Sequence, residues 1–366
     1  MYKYKHHNTS FLIDTSEILN HKLRLKVEYA IADFFDGFLK SETDDFQFQF
    51  IITDNINDFI VDSYFKRVKD VKIGDTQIHF LDNELNILIN NKNPFSIIVG
   101  ILDNETIFSS LRVFNKAFKN NIEQQISTFY YRIFLLFSQL WNIQNNLSYL
   151  HSSAISLNNK SIIFTASSGV GKSSLLIKLS QNREISFIAD DLTVVSSNSR
   201  VFYQGRSISI KPYHLKYDSF LKKKIKSLMS MGQKLQWNFL RDNRLTYRLP
   251  ASELFADISE SADIKKVIHL CNHSGLDFKI ADMSLTDLVN SNTSILINEL
   301  FLANHKLNTL ASFSGSPFEN SSIIYKRVSE IYLQAFKDVE IKQVFIPYMS
   351  NPKDLYNFLK SEECLS

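Results

Sequence analysis

Cysteine is scarce: Cys271 and Cys364 are the only two among 366 residues, too few for a disulfide framework and in keeping with a reducing, cytoplasmic setting. The opening Met1-Tyr2-Lys3-Tyr4-Lys5-His6-His7 lacks the apolar run of a signal peptide. The most apolar stretch, 129–143, is interrupted by Arg132 and is too short to cross a bilayer, so it reads as a core helix with no membrane anchor. Glycine (9) and proline (6) are few and form no tracts, which excludes collagen-like and linker-rich architectures. Neither charge sign dominates: 41 Lys and Arg face 38 Asp and Glu, a net of +3, too weak for a general nucleic-acid surface. No repeat recurs at a fixed period.

What the chain does have is core-forming material. Its 30 phenylalanines and 44% apolar content describe a globular protein, and 366 residues suffice for two domains. Residues 1–147 carry no chemistry-bearing cluster but mix strand-like segments, such as 46–53 and 95–102, with two longer helical patterns, and read as a mixed α/β accessory domain. The second pattern, 121–143, places Ile133, Phe134, Phe137, Leu140 and Trp141 on one face, the mark of an amphipathic helix expected to pack against the second domain.

From His151 the rhythm changes. Strand-like 152–157, the polar turn Asn158-Asn159-Lys160 and apolar 161–165 predict a hairpin, followed by a loop and a helix over 172–180. Another buried strand, 185–189, ends in Asp190-Asp191, and 193–195 with 201–203 predict a second hairpin. Strand and helix patterns return over 262–303, and a strand at 344–346 with a helix at 354–360 closes the chain. The class is α/β.

The loop reads Ala166-Ser167-Ser168-Gly169-Val170-Gly171-Lys172-Ser173, the Walker A pattern G-x-x-x-x-G-K-[ST] with alanine at the first glycine. Glycines let successive N–H groups turn inward, and the following helix adds its positive end, so the expected guest is a polyphosphate. Ser168, Gly169, Val170, Gly171, Lys172, Ser173 and Ser174 form the expected cradle for ATP. Lys172 supplies a point charge to the β and γ phosphates, and the Ser173 hydroxyl is a ligand for Mg²⁺.

Asp190 and Asp191 follow a buried strand about eighteen residues beyond Lys172, where α/β sheets present side chains to ligands. Adjacent ionised carboxylates repel unless a cation stands near, so one on the metal and one accepting a proton would divide the work. A solvated turn is the plain alternative for this pair, and a satisfied core histidine is the plain alternative for His151.

Three blocks in order, Leu150-His151-Ser152-Ser153-Ala154, the loop 166–173 and Phe187-Ile188-Ala189-Asp190-Asp191, resemble the HPr kinase/phosphorylase superfamily, whose core is related to phosphoenolpyruvate carboxykinase. The resemblance covers residues 148–215 firmly and the remaining C-terminal half weakly. It implies an HPr-kinase/PEP-carboxykinase-like P-loop core over 148–366. By it, Asp190 is the base-like aspartate facing the acceptor hydroxyl, Asp191 a metal-side carboxylate and His151 a phosphate-proximal group. Ser174 stands where HPr kinases carry glutamate, and Gly205-Arg206-Ser207-Ile208-Ser209-Ile210-Lys211-Pro212 replaces their downstream Glu-x-Arg-Gly signature. The chain thus looks more like the divergent members that accompany peptide or polysaccharide biosynthesis.

The function implied is an ATP-dependent kinase acting on a hydroxyl, a serine of a peptide or protein such as a biosynthetic precursor peptide. Alternatives are a small-metabolite kinase, a non-catalytic nucleotide sensor and an energy-coupling NTPase; homo-oligomer formation stays open. Lys211, Lys216, Lys222, Lys223, Lys224 and Lys226, interleaved with Tyr213, Tyr217 and Phe220, offer a lid or an acidic-peptide dock, or simply a solvated helix. Arg244 or Arg248 is a further candidate for the transferring phosphoryl group.

Overall fold

The strand-like runs of the first hundred residues pair into one sheet. The computed structural model describes residues 1–366 apart from 8, 44–45, 69, 83–84, 91–95, 104–120, 217–218, 230–233, 235–236, 238–245, 313–317, 349 and 366. Among the described residues, eight strands form the first sheet: β1 (Tyr2–His6), β2 (Thr9–Asp14), β3 (Phe48–Thr53), β4 (Lys66–Val68), β5 (Val71–Ile73), β6 (Gln77–Asp82), β7 (Leu85–Asn90) and β8 (Ser96–Gly100). Their order is β1-β2-β3-β8-β7-β6-β5-β4, with β2, β3 and β8 mutually parallel and the other pairs antiparallel. Side chains alternate across a strand, so Phe11 and Ile13, Phe48, Phe50 and Ile52, and Ile97 and Val99 all reach the same core.

Two helical segments cover that face. Helix α1 (His21–Phe34) starts where the Asn20 side chain accepts the Leu23 N–H at 3.1 Å, and buries the stripe Leu23, Val27, Ala30, Ile31 and Phe34. The second runs as α2 (Asn121–Thr128), a π-helical turn over Phe129–Phe134, and α3 (Leu135–Gln144). Phe129 and Phe134 meet Phe50 of the first sheet at 5.1 and 5.8 Å between ring centroids. Farther along, the Ser138 hydroxyl bonds the Tyr149 hydroxyl at 2.8 Å, so the segment lies between the two sheets.

The second half contains β9 (Leu147–Leu150), β10 (Ser152–Leu157), β11 (Lys160–Thr165), helix α4 (Lys172–Leu179), β12 (Ser186–Ala189), β13 (Thr193–Ser196) and β14 (Arg200–Phe202). A small pair, β15 (Ile208–Ile210) and β16 (Tyr247–Leu249), flanks helix α5 (Ser219–Leu228). Then come β17 (Ser261–His273), β18 (Lys279–Asp282), α6 (Leu285–Glu299), α7 (Phe301–Ala311), α8 (Ser321–Ala335), β19 (Glu340–Pro347) and α9 (Pro352–Ser361). The hairpin β10–β11 turns on Asn158 and Asn159, at φ 52° and 59°, torsions that asparagine tolerates and that a two-residue turn matched to strand twist requires.

Long β17 runs through this second sheet, pairing β11 and β19 in parallel and β14 antiparallel. Both faces of the sheet are covered: Ile163 of β11 joins the core shared with the first sheet, while Ile162 and Phe164 join a second core with Leu175, Leu176, Phe187 and Leu359. The shared core reaches Tyr332 and Phe336, and the Tyr332 hydroxyl donates to the Tyr149 carbonyl. The whole is a mixed α/β architecture, and among its described residues no helix is long and apolar enough to cross a membrane.

Candidate active site

Strand direction gathers the predicted residues at one sheet edge. Both β11 and β12 run antiparallel to β10, and β17 runs parallel to β11. The ends of β11 and β12 and the start of β10 therefore coincide, which delivers the loop 166–171, Asp190-Asp191 and His151-Ser152-Ser153 to one place.

The loop leaves β11 and opens α4. Gly169 and Gly171 sit at φ 87° and 117°, and a Cβ placed on either would find no atom within 4 Å. Glycine is required there by torsion rather than by crowding. Gly171 is the residue that caps α4 and offers no side-chain cap, so the N–H groups of the first turn lack intrahelical partners. Val170 packs at the edge of the second core, and Ser174 is half-buried in the first helical turn.

Lys172 is buried, and its Nζ donates to the carbonyls of Ala166 at 2.8 Å and Ser167 at 3.3 Å, so the lysine spans the loop that precedes it. Burial lowers its pKa to about 8 against the pull of Asp191, Asp190 and Glu299. Ser173 donates to Asp190 Oδ1 at 3.0 Å, and Ser153 donates to the same oxygen at 2.7 Å. The other Asp190 oxygen, Oδ2, is buried with no hydrogen-bond partner among the described residues. Burial, joined by the charge of Asp191, raises the Asp190 pKa despite the two serine hydrogen bonds.

Asp191 has a different set of partners. Its backbone is left-handed, at φ 72°, and its carboxylate is held by the Arg206 guanidinium, with His151 Nδ1 at 3.7 Å. Its side chain is partly exposed, and the desolvation that remains is outweighed by Arg206, His151 and Lys172, which hold its pKa below the usual range. The two neighbouring carboxylates thus have pKa values pushed in opposite directions, the pattern that separates an acid–base group from a permanently charged one. His151 is buried; desolvation and the Lys172 charge lower its pKa against Asp191 and Glu299, so its neutral form is favoured.

Several participants carry little local signal in the sequence. Glu299 accepts the Ser168 hydroxyl at 2.6 Å and lies 3.9 Å from His151 Nε2, closing the loop from the end of α6. A glutamate at a helix C-terminus opposes the helix dipole, and that mismatch was its one trace in the sequence. Ser153 and Arg206 lie in the segments 150–154 and 205–212, where neither has an expected role of its own. Arg206 also donates to the Tyr131 hydroxyl at 2.9 Å.

The other cationic candidates lie elsewhere. Arg248 pairs with Asp33 at 2.7 Å and its Cζ stands 3.4 Å from the Phe34 ring centroid, so it is bound to α1; Arg244 lies outside the described residues. In α5, Leu221 and Ile225 are buried, Lys222, Lys223 and Lys226 are exposed, and Lys224 pairs with Glu253 at 3.0 Å. That is the solvated amphipathic helix of the plainer reading; Tyr217 lies outside the described residues.

No protein-family model and no curated protein matches the sequence. Among solved structures, the Hpr(Ser) kinase/phosphatase from Coxiella burnetii is similar to this chain at 9% identity, covering 59% of this chain and 97% of that one, with a TM-score of 0.27. This is a distant likeness of fold, and no residue role rests on it.

Proposed function

We propose that the protein is an ATP-dependent phosphotransferase that moves the γ-phosphoryl group to a hydroxyl, a serine of a peptide or protein, in the cytoplasm. The observation that carries the reading is Asp190: a buried carboxylate of raised pKa, fixed through Oδ1 by Ser153 and Ser173, with Oδ2 unpartnered beside a glycine loop that opens a helix. A carboxylate so held keeps one oxygen in reserve for a proton from the attacking hydroxyl. The loop N–H groups and the end of α4 suit the phosphates, and Lys172 adds charge where negative charge accumulates in the transfer.

Magnesium fits the donor set. The Ser173 hydroxyl gives its hydrogen to Asp190 Oδ1, which leaves its oxygen lone pairs for a cation, and Asp191 is held ionised. Among the described residues no group of three or more His, Cys, Asp and Glu side chains forms a metal cage, but magnesium in nucleotide sites takes only one or two carboxylates beside waters and phosphates. Ser173 and Asp191 would hold it, and its chemistry there is to neutralise the β and γ oxygens. His151, favoured as neutral, can donate or accept a hydrogen bond near the phosphates without adding charge.

A peptide acceptor, of the biosynthetic-precursor type, is the substrate class that the sequence resemblance suggests. Incubation with γ-labelled ATP, magnesium and serine-containing peptides tests the reading, with label expected on the hydroxyl. Tight nucleotide binding with no transfer to any peptide, protein or small hydroxyl compound would sink it in favour of a sensor.

A further inference from the structure

Arg206 stands between the candidate site and the first half of the chain. One guanidinium nitrogen, Nη1, holds Asp191; Nη2 donates to the Tyr131 hydroxyl at 2.9 Å; and Cζ lies 5.8 Å from the Tyr130 ring centroid and 5.4 Å from that of Tyr131. Its hydrogen bonds and ring contacts thus join Asp191 to these two consecutive tyrosines, and its charge also acts on Asp190 and His151.

Tyr130 is fixed by the aromatic core of the first half, and Tyr131 is 41% exposed. Tyr130 is buried against Phe34, Phe35 and Phe134 at 5.9, 5.3 and 5.4 Å between centroids, and Tyr131 meets the edge of Tyr130 at 5.1 Å. Both belong to the π-helical turn, which is marked by the bond from the Leu135 N–H back to the Tyr130 carbonyl. Successive side chains diverge by about 100° on an α-helix, and the wider π turn reduces that angle, which lets neighbouring rings address one cation. Such turns inside α-helices recur at functional sites. At the far end of the relay, Asp191 occupies the left-handed region, which aspartate accepts more readily than most side chains, and its carboxylate is held by Arg206 with His151 nearby.

We propose that Tyr131 is a positioning residue for the active site: acting through Arg206, it fixes the Asp191 carboxylate, and the helical segment of residues 121–144 is thereby a working part of the catalytic apparatus. This inference rests on the phosphotransferase reading. It gives the first half of the chain a task at the site that its lack of chemistry-bearing clusters concealed.

The test is Tyr131→Phe, which keeps the ring and removes the hydroxyl. Loss of one charge-assisted hydrogen bond predicts a fall in kcat of roughly ten-fold with KM for ATP unchanged. The double variant Tyr131→Phe/Arg206→Lys is expected to be no slower than Arg206→Lys alone. A purely structural tyrosine would lower the melting temperature and leave kcat alone; a wild-type kcat in Tyr131→Phe, or losses that multiply in the double variant, overturns the inference and leaves the kinase reading standing. Should the wild type transfer phosphate to no acceptor, the kinase reading fails instead, and urea unfolding of Tyr131→Phe, Asp191→Asn and their combination then decides the relay. Sub-additive stability losses uphold the coupling, and losses that add in full overturn it.

Discussion

His214 allows a quantitative test of how this fold responds to acid. It lies in the 3-10 turn Pro212–Lys216, is 8% exposed, and accepts the Lys211 N–H on Nδ1 at 3.1 Å, so its neutral form carries hydrogen on Nε2. Burial, with the Lys211 charge adding to it, lowers its pKa from 6.5 to about 4. Between those values the unfolded chain binds a proton that the native protein refuses, so stability rises with pH across the window and is lost as pH falls from 6.5 towards 4. A gap of about 2.5 units at 1.36 kcal/mol each amounts to about 3 kcal/mol, with a steepest slope of about 1.4 kcal/mol per pH unit. The variant His214→Asn cannot titrate, and its side-chain oxygen can take the same Lys211 N–H. Urea unfolding of both proteins at intervals from pH 4 to 7, with equal m-values, gives the difference directly. The wild-type advantage over the variant is expected to shrink by about 3 kcal/mol on acidification through that window. Parallel stability curves for the two proteins would refute the reasoning.

Two further outcomes follow from the site. Lys172→Met removes an ammonium whose burial costs stability at neutral pH, a cost relieved in the wild type as pH rises from about 8 towards 10.5. Its apo melting temperature at pH 7 is therefore expected to rise while the shift induced by ATP disappears; a lower apo melting temperature counts against the buried charge. Asp190→Asn is expected to slow transfer by roughly 10²–10⁴-fold while ATP affinity stays within a few-fold, measured by single-turnover transfer and calorimetry. Equal losses in binding and transfer would make Asp190 a nucleotide ligand rather than a proton acceptor.

Features encoded by neighbouring residues were legible in the sequence. The asparagine pair at 158–159 announces its turn because few other residues accept two left-handed torsions, and the glycines at 169 and 171 announce the loop for the same reason. Asp190 could be read from the buried strand that ends on it. The contacts that complete the site could not, because they close over long stretches of chain: Ser168 meets Glu299 across 131 residues, and Arg206 meets Tyr131 across 75. No periodicity or spacing rule reaches that far. The π turn was hidden for a different reason, since residues 129–134 have side chains that suit an α-helix equally well, and only tertiary packing selects the wider turn. Likewise the left-handed torsion of Asp191 and the bond from Ser173 to Asp190 are not revealed by composition.

The bond from Tyr332 to the Tyr149 carbonyl joins residues 183 apart, and it has a meaning for how the protein is made. A ribosome adding roughly 5–20 residues per second needs roughly 10–40 s to travel from one partner to the other. Throughout that interval the first sheet and its helices are already synthesised, and the tyrosine waits for a cover that does not yet exist. The nascent chain therefore keeps an aromatic face uncovered throughout that interval, long enough to engage a chaperone, and the core is completed only once α8 has been made.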